Sequence, residues 1–232
     1  MKRTTKKITH PLKNKIDDSK KVLLQAYKKY GKEMAIFWTG GKDSTVLLHM
    51  VRSVLGADKK FPILYLDTQL DFKEVHEFIH TLVADWTLNL ITVKTTNRQM
   101  KKYHALPTKK ERVELASYFK IILLKDAVKK YKLPALVIGI RWDEHPERVA
   151  EKYFSPRENH IRVHPLLHFT EKDIWDYIHH HNVPYISLYD KGYRSLGEKE
   201  FTKPATPDGG ERSGRQKERE VIMKKLRRLG YF

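Results

Sequence analysis

From Glu33 onward, short apolar runs alternate with longer amphipathic stretches: Ala35–Trp38 then Ser44–Leu55, Ile63–Leu66 then Lys73–Trp86, Leu90–Val93, and Lys110–Tyr131 then Ala135–Ile138. Runs this short read as buried strands, and the segments between them carry the period of helices, so the chain predicts βαβ units. Such units close into an α/β fold, a mainly parallel sheet with helices on both faces. The tail departs from that rhythm. Ile161–Leu166 reads as a strand and Thr170–His181 as a helix, after which Pro184–Gly210 is an irregular C-terminal extension. Arg212–Leu229 reads as a charged helix with Val221, Ile222, Leu226 and Leu229 on one face. Three segments follow: a basic N-terminal arm and helix over 1–32, an α/β domain over 33–182, and a C-terminal loop and basic helix over 183–232.

With 232 residues, 40% of them hydrophobic, the chain has enough apolar material for one core with decorated edges. Lys and Arg number 46 against 28 Asp and Glu, a net charge of +18 that favours anionic partners: nucleotides, sulfate or phosphate, or nucleic acid. No cysteine occurs, which removes disulfides, thiolate metal sites and a cysteine nucleophile from these residues. Apolar runs stay far short of a membrane span and the Lys-rich start leads into no apolar signal segment, so a cytoplasmic protein without a membrane partner is expected. His179, His180 and His181 face three directions of a helix and read as surface residues, while Trp38 and Trp175 read as core.

The most informative motif is Thr39-Gly40-Gly41-Lys42-Asp43-Ser44, between an apolar strand and an apolar-periodic helix. Glycines let backbone N–H groups approach an anion, and the helix that follows directs its positive dipole end to the same place. The spacing is neither a Walker loop nor a Gly-x-Gly-x-x-Gly turn. Asp43 and Ser44 also suit a helix cap at a tight turn.

This loop resembles the Ser-Gly-Gly-x-Asp-Ser pyrophosphate loop of the ATP pyrophosphatases, the PP-loop superfamily. Further segments are similar to its adenylyl-sulfate branch, the phosphoadenylyl-sulfate reductases and the small subunit of sulfate adenylyltransferase. They are Leu66-Asp67-Thr68, Gly139-Ile140-Arg141-Trp142-Asp143-Glu144, Ile161 to Leu166 with Thr170 to Trp175, and Tyr193-Arg194-Ser195-Leu196-Gly197. Glu211-Arg212-Ser213-Gly214-Arg215 and the final Gly230-Tyr231-Phe232 look most like the adenylyltransferase subunit, whereas Ser187 to Tyr193 looks more like the reductases. The resemblance implies an adenine nucleotide alpha-hydrolase-like, Rossmann-like sheet and cleavage of ATP between its α and β phosphates.

On that basis Thr39, Gly40, Gly41, Lys42 and Ser44 are candidates for holding the phosphates of ATP, with Asp43 as the Mg²⁺ ligand. Lys42, Asp43 and Arg141 form the candidate catalytic set. Asp67, Thr68 and Gly139 sit at strand ends where nucleotides bind in open parallel sheets, although Asp67-Thr68 equally suits a strand-end turn. A forked, permanently charged guanidinium at Arg141 suits phosphate or sulfate. Glu144, Arg148, Arg194, Ser195, Gly197, Arg212 and Arg215 complete the candidate substrate site. Glu144 with Arg148 also reads as an i,i+4 ion pair, and Arg212 with Arg215 as a solvated helix face.

The leading functional expectation is a nucleotidyltransferase that adenylates an oxyanion, sulfate first, with ATP and Mg²⁺ and with a separate GTPase subunit implied by the resemblance. The alternatives are a sulfonucleotide-binding, reductase-like protein without the catalytic cysteine, a tRNA-modifying ATP pyrophosphatase, and a non-catalytic nucleotide-binding protein. Nucleic acid is disfavoured, because no thiol and no RNA-binding module accompany the charge.

Overall fold

A computed structural model describes residues 10–216 together with Glu218 and Ile222. The chain order is α1 (His10–Tyr30), β1 (Ala35–Phe37), α2 (Lys42–Leu55), β2 (Pro62–Asp67), α3 (Lys73–Trp86) and β3 (Asn89–Lys94). There follow α4 (Asn97–His104), α5 (Lys109–Lys130), β4 (Ala135–Ile138), β5 (Phe154–Pro156), β6 (Ile161–Val163) and α6 (Glu171–His181).

The six strands form one sheet in the order β3-β2-β1-β4-β6-β5. All neighbours are parallel except β5 with β6. The chain therefore winds outward from β1 through β2 to β3 and returns to lay β4 on the other side of β1. Ligand crevices open at such a reversal, beyond the carboxyl ends of the strands.

Strand periodicity explains the layers. Ile36, Trp38, Ile63, Val137 and Val163 point to one face, where α1, α2, α3 and α6 pack. Ala35, Leu64, Leu66 and Leu136 point to the other, against Leu123, Leu124, Ala127 and Val128 of α5. The α/β class and helices on both faces are as expected.

Several boundaries differ. Within the arm and helix expected over 1–32, apolar residues at helical spacing are densest from Val22 to Tyr30, but the helix starts at His10 because Leu12 and Ile16 already reach the core and Ser19 donates to the Pro165 carbonyl at 2.7 Å. The strand read over Ile161–Leu166 stops at Val163. α4 and the edge strand β5 went unread, although Thr96 and Gln99 form a capping box in front of α4. The charged helix expected from Arg212 does not begin there: residues 211–214 form a turn and Arg215 bridges Thr202. Beyond Gln216 only Glu218 and Ile222 of that expected helix are described, both in helical conformation, and its other residues, with the first nine of the basic arm, lie outside the described residues. Trp38 is fully buried as expected, but Trp175 is only partly covered and stacks on His179. No helix among the described residues is long and apolar enough to cross a membrane.

Candidate functional site

The loop after β1 turns through Gly40, whose φ of +75° is a left-handed conformation that disfavours a side chain. Gly41 then caps α2. Ser44 closes the turn: its hydroxyl accepts from the Thr39 N–H at 3.2 Å and donates to the Gly41 carbonyl at 2.9 Å. At the adjacent strand end, a Cβ on Gly139 would lie 3.0 Å from the Asp43 carbonyl oxygen, so a glycine there is what lets β4 approach the loop.

Around this turn lies a buried ion network. Lys42 is 1% exposed, and its ammonium donates to the Arg194 carbonyl at 2.7 Å and to the Glu211 carboxylate, with Asp43 at 3.4 Å. Arg141, fully buried, uses each guanidinium nitrogen on a different carboxylate: Nε on Asp143 at 2.9 Å, and the other two on Asp43 and Glu211. Glu144 takes Arg148 and, at 3.0 Å, Arg212. Charges this far from water persist only when paired, which fixes the positions of all these groups. Burial raises the Glu144 carboxyl, but the cations Arg148, Arg212, Arg141 and Lys42 outweigh it and hold the pKa at about 2. Burial lowers Arg148, while at Arg141 it is overcome by Glu211, Glu144 and Asp143, which raise it.

A cavity of about 210 Å³ opens at this point. Of the expected site residues, Thr39, Gly41, Lys42, Asp43, Ser44, Gly139, Glu144, Arg148, Ser195, Gly197, Arg212 and Arg215 line it. Arg141 stands behind that wall, joined to it through Asp43 and Glu211. Arg194 is turned away to Glu171 and to the Gly209 carbonyl at 2.8 Å, so it braces the loops. Asp67 makes the strand-end turn, accepting from the Gln69 N–H at 2.8 Å, and neither it nor Thr68 lines the cavity. Asp43, the expected Mg²⁺ ligand, is engaged by cations, and among the described residues no three His, Asp or Glu side chains gather as a metal-holding cluster.

Sequence reasoning missed several walls of the site. Glu211, inside a quoted motif, was not assigned a role, since nothing local tells a carboxylate 169 positions from Lys42 that it will meet it. Tyr189 donates no local pattern either, yet its hydroxyl accepts from the Lys42 N–H at 2.9 Å. Arg162 and His164 reach the cavity from β6 and the residue just beyond it, and burial lowers His164 to about 4, so it is neutral at pH 7. Asp71, Lys120 and Tyr65 line the far side; the Tyr65 hydroxyl donates to Asp71 at 3.0 Å, and burial raises the Asp71 carboxyl.

The strand order, the glycine turn at the reversal and the cluster of cations above it define an α/β nucleotide-site architecture. Residues 33–204 match the phosphoadenosine phosphosulfate reductase domain, and the chain belongs to that family, within the PP-loop superfamily. A protein of Bacillus cereus (strain 03BB102) named adenosine 5'-phosphosulfate reductase is 32% identical over 200 residues, covering 84% of this chain and 83% of its own. A protein of the same name from Geobacillus thermodenitrificans is 29% identical, with 91% of each chain covered. Among solved structures, phosphoadenylyl-sulfate reductase from Candida auris superposes with a TM-score of 0.67 at 18% identity, over 85% of this chain and 98% of that one. FMN adenylyltransferase from Candida glabrata gives 0.66 at 23% identity, over 94% and 82%. These two likenesses speak to the fold alone.

The relatives correct the leading expectation. They are named as reductases of a sulfonucleotide, so the reading as a nucleotidyltransferase that makes adenylyl sulfate from ATP and sulfate is overturned, and with it the particular likeness to the sulfate adenylyltransferase small subunit. The reason for expecting a GTPase subunit goes with it.

Proposed function

We propose that the cleft binds a sulfonucleotide, adenosine 5'-phosphosulfate or its 3'-phosphorylated form, and that the chain's own residues do not reduce it. The observation that carries this reading is a set of cations, Lys42, Arg148, Arg212 and Arg215, lining one cavity at the β1/β4 reversal in a reductase-family chain without cysteine. A phosphosulfate is a doubly anionic, oxygen-rich group, and forked guanidiniums with an ammonium are the donors that suit it. Arg141, held by three carboxylates, sets the positions of Asp43 and Glu211 at the base of the cavity. Thr39, Gly41 and Ser44 form the turn beneath the phosphate, and Ser195 and Gly197 close the opposite wall.

Reduction by a thiol route needs a thiolate that attacks sulfur, displaces the nucleotide and holds a thiosulfonate until a second thiol releases sulfite. No side chain in these 232 residues supplies that thiolate. Neutral His164 and the hydroxyls of Tyr189 and Thr39 cannot substitute, because an adduct on nitrogen or oxygen is not discharged by a thiol. Calorimetric titration with adenosine 5'-phosphosulfate, its 3'-phosphorylated form, ATP and AMP tests the binding. A sulfonucleotide is expected to bind at least tenfold tighter than AMP; equal affinities overturn the reading. In parallel, thioredoxin-dependent release of sulfite from either sulfonucleotide should stay at the no-protein level.

A further inference from the structure

One carboxylate in the cleft stands where a ligand oxyanion belongs. The two oxygens of Glu211 divide between two deeply buried cations of the site, Oε1 on the Lys42 ammonium and Oε2 on the Arg141 guanidinium. Two oxygens of one anion bridging a lysine and an arginine is the geometry a phosphate or sulfate group adopts. Glu211 does not come from the phosphate loop or from a strand end. It is carried by the strap 209–216, whose Glu211, Arg212 and Arg215 line the cavity and which is pinned at its flanks, Arg194 to the Gly209 carbonyl at 2.8 Å and Lys203 N–H to the Gly214 carbonyl at 2.9 Å.

Charge accounting points the same way. Lys42, Arg141, Arg148 and Arg212 are met by Asp43, Asp143, Glu144 and Glu211, four cations by four carboxylates. Lys120, Arg162 and Arg215 add positive charge elsewhere on the cavity wall, but the Lys42–Arg141 seat is itself filled by carboxylate, so an incoming anion takes that seat only if a carboxylate withdraws. Asp43 is fixed in the first turn of α2, Asp143 also accepts from the Glu171 N–H at 3.1 Å, and Glu144 is clasped by two arginines. Glu211 alone of the four sits on a strap.

We propose that Glu211 is a built-in surrogate anion: it occupies the Lys42–Arg141 seat until a phosphate or sulfate group of the ligand displaces it, and so sets the affinity and charge selectivity of the cleft. Displacement also moves the strap that carries Arg212 and Arg215, so both arginines are re-aimed at the moment the ligand enters. This inference deepens the proposed sulfonucleotide reading, because it names the group recognised at the base of the cleft.

The test is calorimetric titration of wild type, Glu211→Gln and Glu211→Asp with inorganic pyrophosphate and inorganic sulfate, and with adenosine as an uncharged control. Glutamine keeps the size but removes the charge; aspartate keeps the charge but is one methylene too short to reach both cations. The affinity for at least one of the two anions should rise roughly tenfold or more in Glu211→Gln, with Glu211→Asp between it and wild type, while adenosine is unaffected. A residue that merely supported the fold would weaken anion binding when removed. The proposal is overturned if neither variant gains affinity for either anion, or if adenosine gains equally. Should Glu211→Gln fail to fold, Glu211→Asp decides alone. The two readings separate cleanly: a gain for pyrophosphate with no preference for sulfonucleotides over AMP leaves the surrogate standing and removes the proposed function.

Discussion

At the scale of single residues, the site is governed by how far its charges are from water. Glu144 illustrates this, with Arg148 and Arg212 on its two oxygens and a folded-state pKa near 2. A depressed carboxylate contributes stability that is fully present above its unfolded value and is lost as pH falls through its folded one. The window therefore runs from about 4.5 down to about 2, and the contribution is on the order of 3 kcal/mol. Urea denaturation at pH 7 and pH 3 should show Glu144→Gln less stable than wild type at neutral pH, with the gap narrowing in acid. Parallel losses in both proteins would rule out this role for Glu144. Gly139 is a second single-residue hinge of function: because an added Cβ would meet the Asp43 backbone at 3.0 Å, Gly139→Ala must push the phosphate loop aside. Its affinity for adenosine 5'-phosphosulfate should fall roughly tenfold or more while the circular dichroism spectrum stays native. Unchanged affinity would mean that the loop yields without cost.

At the scale of elements, short helices survive here through their caps. α4 spans eight residues and buries one side chain, Tyr103, whose hydroxyl donates to Glu200 at 2.6 Å. A helix that short has little cooperative stability of its own, so the reciprocal Thr96–Gln99 box matters to it. Thr96→Ala should lower the free energy of unfolding by about 1 kcal/mol, read from the urea midpoint, with sulfonucleotide affinity unchanged because α4 lies outside the cavity wall. A change in affinity would instead tie α4 to the cleft through Glu200. The same boxes head α5 at Thr108–Glu111 and α6 at Thr170–Asp173, and those two helices were read from the sequence almost to the residue. Their long apolar periodicity made them legible. α4 has the same cap but only Met100 and Tyr103 behind it, too few apolar positions to establish a period.

At the scale of the whole molecule, a net charge of +18 surrounds a cleft whose innermost ion pairs are neutralised and buried. Exposed lysines should then govern how fast an anionic nucleotide arrives, and the buried groups how long it stays. In stopped-flow binding of adenosine 5'-phosphosulfate, raising KCl from about 50 to about 500 mM should slow association several-fold and leave dissociation nearly constant. A salt effect confined to dissociation would place the charge dependence inside the cleft. The sequence by itself determined the α/β class, the glycine turn before α2, the placing of Lys42 and Asp43 where that turn enters the helix and of Arg141 just past the end of β4, because periodicity and turn chemistry act over a few residues. It also determined that the chain brings no thiol to a sulfonucleotide, since composition requires no folding to be read. Only the tertiary structure decided which carboxylate meets which cation. Glu211 lies 169 residues from Lys42 and 70 from Arg141, and no local energetic preference encodes that meeting. It arises because β4 returns beside β1 and the strap 209–216 brings Glu211 onto the wall of the cavity there, and in that low-dielectric crevice each buried charge had to find its opposite.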